Sequence, residues 1–334
     1  MKYGVFVLSL IIIFFVSINN THAQVGGSIY GDMNDVSVSV FPENPGANTD
    51  VTLKIQSFLI NLASADISWS LDGKKVQSGV GMTTFKFTTK DVGVPTAIGL
   101  SVLPIGGSPI NKNMTITPSS IDILWEAIDS ATPPFYKGKA LPTTEASLKF
   151  VAIPNIKTPT GFIVNQSDLI YSWTNNFDLD KNSSGYGKDT YFLKMPIVDE
   201  TENVGVTAQQ RGGGLSAAGQ VFTKIFEPKI VWYVTSSLYG PQFERSIDNN
   251  FPVSSNDISV FAQPYYASPK DITSSNLSYA WTLNDQTLDA QTPPNVLLLH
   301  RNNTNKGNAL ISLVIENSQK YLQELKSSLT LNLQ

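Results

Sequence analysis

A short stretch carrying a tryptophan recurs three times in this chain and limits its fold more than any other feature. It reads A-D-I-S-W-S-L-D-G around Trp69, D-L-I-Y-S-W-T-N-N around Trp173 and N-L-S-Y-A-W-T-L-N-D around Trp281. The first two tryptophans are 104 residues apart and the last two 108, a period of one small domain. Within each copy large apolar residues alternate with Ser or Thr: Ile67, Trp69, Leu71; Leu169, Tyr171, Trp173; Tyr279, Trp281, Leu283. A period of two with a polar opposite face predicts a half-buried β-strand. The expectation is an all-β chain of three Ig-like β-sandwich domains in tandem, each with this strand at its centre.

The rest of the sequence places the neighbours. In the first copy strands are expected at residues 36–42, 50–57, 83–88, 96–103 and 113–117, with Asp72-Gly73 as a hairpin turn. The second and third copies open on strands around Trp125 and Trp232, a second repeated element 107 residues apart. Each is followed by a proline-bearing segment, residues 132–139 and 239–245. Proline cannot donate to a ladder, so each segment is expected to interrupt the first strand and cross toward the other sheet. Leu148, Phe150 and Ala152 then match Ile258, Val260 and Ala262. Later strands are expected at 188–195, 204–208, 221–226, 296–300, 309–315 and 328–333. Tyr321, Leu322 and Leu325 have helical spacing, but the repeat register makes residues 318–328 a hairpin. The resulting division is a signal peptide at 1–23, a linker at 24–34, and sandwiches at 35–118, 119–228 and 229–334.

Lys2, an apolar run at residues 5–18 and small residues at Thr21 and Ala23 read as a secretory leader cleaved after Ala23. The alternative is an uncleaved leader that anchors the chain through residues 5–18. An exported protein, extracellular, on the cell surface or periplasmic, is therefore expected. Without Lys2 the mature chain has 22 basic and 27 acidic residues, a balance that excludes a nucleic-acid partner. There is no cysteine, which removes disulfides, thiol catalysis and cysteine metal sites.

The motif aromatic-x-Trp-x-x-Asn at Tyr171–Asn176 and Tyr279–Asn284, with Trp69 running into Asp72-Gly73, resembles the Ig-like and PKD-like β-sandwich repeats of bacterial exported proteins. Residues 79–85 and 184–192 are similar to the turn and strand that follow in such repeats. PKD repeats carry Asp or Asn directly after the tryptophan; here Ser70, Thr174 and Thr282 follow, which fits the broader Ig-like class. Residues 123–142 also resemble exported proteins of uncultivated bacterial lineages. Neither resemblance implies catalytic residues.

Candidate chemistry is sparse. The mature chain has a single histidine, His300, with no Gly-x-Ser-x-Gly nucleophile motif, so it reads as a surface residue beside a turn rather than part of a triad. Asp178, Asp180, Asn182, Ser184 and Asp189 have the one-three-five-seven-twelve spacing of a calcium loop, though Ser183 stands where glycine is wanted; the alternative is a polar turn, and no other cofactor is expected. Glu126, Asp129, Asp199, Glu200 and Glu202 are the acids from which a glycosidase pair could be drawn, with ordinary surface acids the simpler reading. Residues 211–214 lack the lysine of a phosphate loop and read as a hairpin tip. Phe135 and Tyr136 could stack on a sugar or receive a partner, or pack across a domain junction. The expectation is a non-catalytic structural or adhesive protein of the cell envelope, with a glycan- or peptide-binding module as the alternative. Its expected partners are other envelope proteins or surface glycans, with membrane contact only through an uncleaved N-terminal segment.

Overall fold

The computed structural model describes residues 36–158, 160–198, 201–301 and 306–334. The expected leader and the whole of the linker lie outside these residues, as do Asp199 and Glu200. The first copy contains β1 (Ser37–Phe41), β2 (Asp50–Gln56), β3 (Asp66–Leu71), β4 (Lys74–Val80), β5 (Thr84–Thr88), β6 (Thr96–Leu103) and β7 (Ile110–Ile116). In the second are β8 (Ser120–Ala127), β9 (Ser147–Asn155), β10 (Leu169–Asn175), β11 (Asp178–Leu179), β12 (Gly185–Tyr186), β13 (Thr190–Lys194), β14 (Thr201–Gln210) and β15 (Ser216–Lys224). The third has β16 (Lys229–Ser236), β17 (Gly240–Ile247), β18 (Phe251–Val253), β19 (Asp257–Tyr265), β20 (Leu277–Leu283), β21 (Gln286–Thr287), β22 (Val296–His300), β23 (Gly307–Asn317) and β24 (Glu324–Leu333).

One strand order underlies all three. Sheets β1-β2-β5, β8-β9-β13 and β16-β19-β22 face sheets β4-β3-β6-β7, β11-β10-β14-β15 and β21-β20-β23-β24. Pairing within these orders is antiparallel. This is the Ig-like β-sandwich class, and the chain is all-β: among the described residues the helical element is a single 3-10 turn, Gln166–Asp168. No helix among them is long and apolar enough to cross a membrane.

Three separate apolar clusters lie between the facing sheets, and the repeated tryptophans sit in them, one to a cluster, with Trp69 and Trp173 fully buried. A buried indole N–H needs an acceptor. Trp69 Nε1 donates to the Met82 carbonyl at 3.0 Å, Trp173 Nε1 to Lys188 at 2.9 Å and Trp281 Nε1 to Pro294 at 2.8 Å. In each copy that carbonyl lies three residues before the large inward residue of the next strand, Phe85, Tyr191 or Leu297. The residue three after each tryptophan has an equally fixed task. Asp72, Asn176 and Asn284 open a tight turn with positive φ, and each side chain accepts from the strand beside it, at Ala97, Asn203 and Leu310. The Trp-x-x-Asn or Asp motif is thus a core residue followed by a turn that locks its strand to the next.

Apart from the short strands β11, β12, β18 and β21, which it does not assign, the sequence reading differs from the structure in three places. It assigns no strand to Lys74–Val80, which pairs with β3 through a register shift beside Trp69. The proline-bearing segment after Trp232 does not cross over. It forms β17, which pairs antiparallel with β16 across a bulge, and the crossing falls to β18, which pairs parallel with β24. Trp125 and Trp232 are not register equivalents. Trp125 lies opposite Phe150 and Trp232 opposite Ala262, whereas Phe150 matches Val260. A slip of two residues keeps a side chain on the same face, so periodicity alone does not fix it. Residues 318–328 are the expected hairpin turn and the start of its return strand.

Candidate functional site

The expected aromatic pair sits in the segment between β8 and β9, where the second and third sandwiches meet. Two backbone bonds cross there, from the Ala131 amide to the Ala267 carbonyl and from the Tyr266 amide to the Ala131 carbonyl, both at 2.7 Å. Tyr136 joins an aromatic group on the third sandwich. Its hydroxyl lies 2.7 Å from that of Tyr266, and its ring stands edge-on to Tyr265 and Tyr266. The Tyr265 hydroxyl lies 2.8 Å from Tyr233, whose ring contacts Phe243. Burial, then the hydrogen bond with Tyr136, pushes Tyr266 up to about 12, so its hydroxyl stays protonated. Phe135 does not join them. It is 99% exposed and holds a φ of 59°, a conformation unfavourable for a bulky residue. The two neighbours therefore differ: Tyr136 packs across the junction, and Phe135 points to solvent.

A polar network extends this junction. Lys320 Nζ donates to Asp129 Oδ2 at 2.5 Å, the Glu145 carbonyl at 2.8 Å and Ser268 Oγ at 3.0 Å. Glu145 accepts from Lys194 at 2.6 Å and from the Tyr321 amide at 2.8 Å. Buried Gln323 donates to Thr143 Oγ1 across the boundary and accepts from Asn317 and the Ser268 amide. Sequence reasoning weighs Asp129 as a catalytic acid. In the structure it is the counter-ion of Lys320, while Glu126 is exposed on β8 and Glu202 is buried at an end of the second sandwich.

The five residues with calcium-loop spacing lie after β10 and do other work. Asp178 is exposed and pairs with Asn175 in the ladder. Asp180 Oδ1 accepts from the Asn182 and Ser183 amides at 2.9 and 3.0 Å, an Asx turn. Ser184 Oγ donates to the Asp180 carbonyl and accepts from the Trp173 amide. The Asn182 carbonyl accepts from Lys188, and Asp189 accepts from the Thr190 hydroxyl. Among the described residues no three acidic or imidazole groups converge to hold a metal ion. The short strands β11 and β12 bound this loop, where a helix-flanked loop would turn its ligands inward.

An open depression nevertheless forms beside this turn, lined by Asn175, Asn176, Asp178, Asp180, Asn182 and Tyr191. Asn175 Oδ1 is buried there with no hydrogen-bond partner. Asn176 Nδ2 reaches the buried Glu202 carboxylate at 2.8 Å. Burial, then the nearby Asp180 and Glu202 charges, raises Tyr191 above its ordinary value and keeps it protonated. Sequence reasoning names Asp178, Asp180, Asn182 and Glu202 in this region for other chemistry, and misses Asn175 and Tyr191. Elsewhere His300 Nδ1 lies 2.6 Å from Asp257 across an exposed strand pair, as a surface residue should.

No protein-family model and no curated protein matches the chain. Among solved structures it is similar to the fibronectin(III)-like modules of Clostridium thermocellum CbhA, at 12% identity over 57% of this chain and 94% of that one, with a TM-score of 0.28. The central fibronectin-III array of RIM-binding protein matches at 11% identity, over 90% of this chain and 98% of that one, with a TM-score of 0.31. The Bacteroides ovatus protein SGBP-B, solved with a mixed-linkage heptasaccharide, matches at 11% identity over 90% of this chain and 71% of that one, with a TM-score of 0.22.

Proposed function

We propose that this chain is a non-catalytic, exported protein of the cell envelope in which sandwiches at residues 35–118, 119–228 and 229–334 act as a structural or adhesive array. The observation that carries this reading is the junction of the second and third sandwiches. Its aromatic and ionic contacts consume Tyr136, Asp129, Glu145 and Lys320, residues that could otherwise serve a binding surface, and commit them to holding two sandwiches together. Such a junction suits a chain that spaces and orients contacts, and it leaves Phe135 outward for a neighbouring envelope component. The leader motif supports export.

Fractionation of cells expressing the full chain, followed by protease treatment of intact cells and spheroplasts, tests the reading. The expected result is an envelope-associated, protease-accessible protein whose retention in washed envelopes falls about threefold or more in Phe135→Ala, on the scale of one exposed aromatic contact. Recovery of the chain in the cytoplasm with its leader intact would overturn it.

A further inference from the structure

The three sandwiches share a scaffold, so each position at the end of one core has counterparts in the others. Two residues after the repeated tryptophan, facing the core, the third copy has Leu283 and the first Leu71; both pack against their clusters. The second copy has Asn175. Leu288 donates its amide to the Trp281 carbonyl and packs on the third core; Asp180 makes the same bond to Trp173. Opposite Val260 lies Leu297, and opposite its counterpart Phe150 lies Tyr191. Four residues before Leu313, which faces Trp281, stands Ala309; four before Val206, which faces Trp173, stands Glu202. The third copy thus closes this end with Leu283, Leu288, Leu297 and Ala309, and the second replaces all four with hydrogen-bonding residues. The first copy is intermediate, with Leu71, Phe85 and Thr96.

This exchange leaves groups unsatisfied. Asn175 Oδ1 is buried without a partner, and a buried acceptor lacking its bond destabilises the fold. Asp180 lines the depression and uses Oδ1 for its turn, while no bond of its Oδ2 is part of that turn. Glu202, though buried, is held by Asn176, itself part of the lining. The turn that joins β10 to β11 carries Phe177, 82% exposed with a φ of 72°, where the first copy has Gly73 and the third Asp285. A left-handed turn position favours glycine or Asp, so an exposed phenylalanine there has no folding rationale.

We propose that this end of the second sandwich, around Asn175, Asp180, Tyr191 and Phe177, is a binding site for a neutral glycan. Vicinal hydroxyls can donate to the Asp180 carboxylate, and to Asn175 Oδ1 once its amide turns out of its buried, unpartnered position, and can accept from Tyr191. An exposed ring such as Phe177 offers a stacking face for the apolar side of a sugar. Glu202 acts as a positioning residue through Asn176. The carboxylates of Asp178 and Asp180 outnumber the Lys181 cation among the charges that line the depression, which disfavours an acidic sugar. A divalent cation would need six to eight oxygens, about 2.3–2.6 Å away, and among the described residues no three acidic or imidazole groups converge. The proposal deepens the adhesive reading, and rests on it only for the compartment in which glycans are met.

The test is calorimetry and thermal melting of the purified full chain with laminarin, xyloglucan, galactomannan and dextran, and separately with polygalacturonate and calcium chloride. At least one neutral polysaccharide should bind. Asn175→Leu, which installs the third copy's residue, should weaken binding about tenfold or more while the unliganded protein melts at the same or a higher temperature, because an unpaired acceptor is replaced by an apolar plug. A merely structural Asn175 would instead lower the melting temperature. Phe177→Gly, which installs the first copy's turn residue, should weaken binding about fivefold without loss of stability. Binding of none of the neutral polysaccharides, binding of calcium or polygalacturonate alone, or undiminished affinity in Phe177→Gly would each overturn the proposal. Because the measurement uses purified protein, its failure is distinct from a failure of export.

Discussion

The hydrogen bonds that Ser119 and Ser216 make from the second sandwich to the first join uncharged groups, with the Lys157 stem lying against Gly93, whereas the junction between the second and third is aromatic, ionic and partly buried. At the first, the Ser119 amide reaches the Pro45 carbonyl at 3.4 Å, and Ser216 Oγ bonds Asn44. At the second, Lys320 bridges Asp129, the Glu145 carbonyl and Ser268, and Tyr136 closes on Tyr265 and Tyr266. Hydroxyl contacts exchange readily with water. A half-buried cation with three acceptors does not, because removing it leaves a carboxylate and a carbonyl without their partner. The difference teaches that equal sandwiches in series need not be equally coupled: the second and third should respond together, and the first by itself.

The largest test of that asymmetry is the core itself. Trp281→Ala empties the centre of the third cluster and should cost about 3–5 kcal/mol. Hydrogen exchange resolved by segment should then show lost protection in β19, β20 and β23, spreading through the junction to the segment between β8 and β9. Trp69→Ala should deprotect the first sandwich and leave β9 and β10 unchanged. Spread from Trp69→Ala into the second sandwich would erase the distinction between the junctions.

A smaller change isolates the coupling. Lys320→Ala removes three hydrogen bonds from a charged donor and should weaken the second junction by about 2 kcal/mol. Both flanking cores should keep their protection, since Lys320 lies in neither apolar cluster. Combined with Trp281→Ala it should confine the damage to the third sandwich. If the spread persists, the aromatic contacts of Tyr136 carry the coupling rather than the cation.

The fold was legible in the sequence where one residue type repeats one task. The tryptophans and the Asn or Asp three residues later recur because every sandwich needs a filled centre and a locked turn. Register was less legible, as Trp125 and Trp232 show, since an even slip preserves the face. The sites were legible only in part. Tyr136 reads as a junction residue because prolines and aromatics cluster around it, but the other groups that close this junction, Lys320 and Gln323, lie almost two hundred residues from their partners Asp129 and Thr143, in a hairpin turn with no motif. The calcium-like spacing of Asp178 to Asp189 is a linear pattern, and strand geometry sends those side chains to separate tasks. Asn175 and Glu202 carry no motif at all. Their signal is a contrast, polar residues at positions where another copy has Leu283 and Ala309, visible once the repeats are aligned by register rather than by spacing.

The smallest effect is a response to acid, and it too separates the junctions. The hydrogen bond from Lys194, helped by the Tyr321 amide and the Lys194 and Lys320 charges against the cost of burial, holds the Glu145 carboxyl below its ordinary value of 4.5. A carboxyl depressed in the folded state binds fewer protons there than in the unfolded chain. The stability it contributes is complete above the ordinary value and drains away as pH falls through the depressed one. Melting followed from about pH 6 to about pH 3 should therefore show the second sandwich losing the Lys194 bond over the lower part of that range, and the second junction loosening with it through the Tyr321 amide and Lys320. Glu145→Gln should remove that acid-dependent step while leaving general acid destabilisation in place. The bonds named at the first junction join uncharged groups, so its exchange protection relative to the adjoining cores should hold constant over the same range. A matching acid-dependent loss at Ser119 and Asn44 would mean that the two junctions respond to the bulk charge of the chain and not to Glu145.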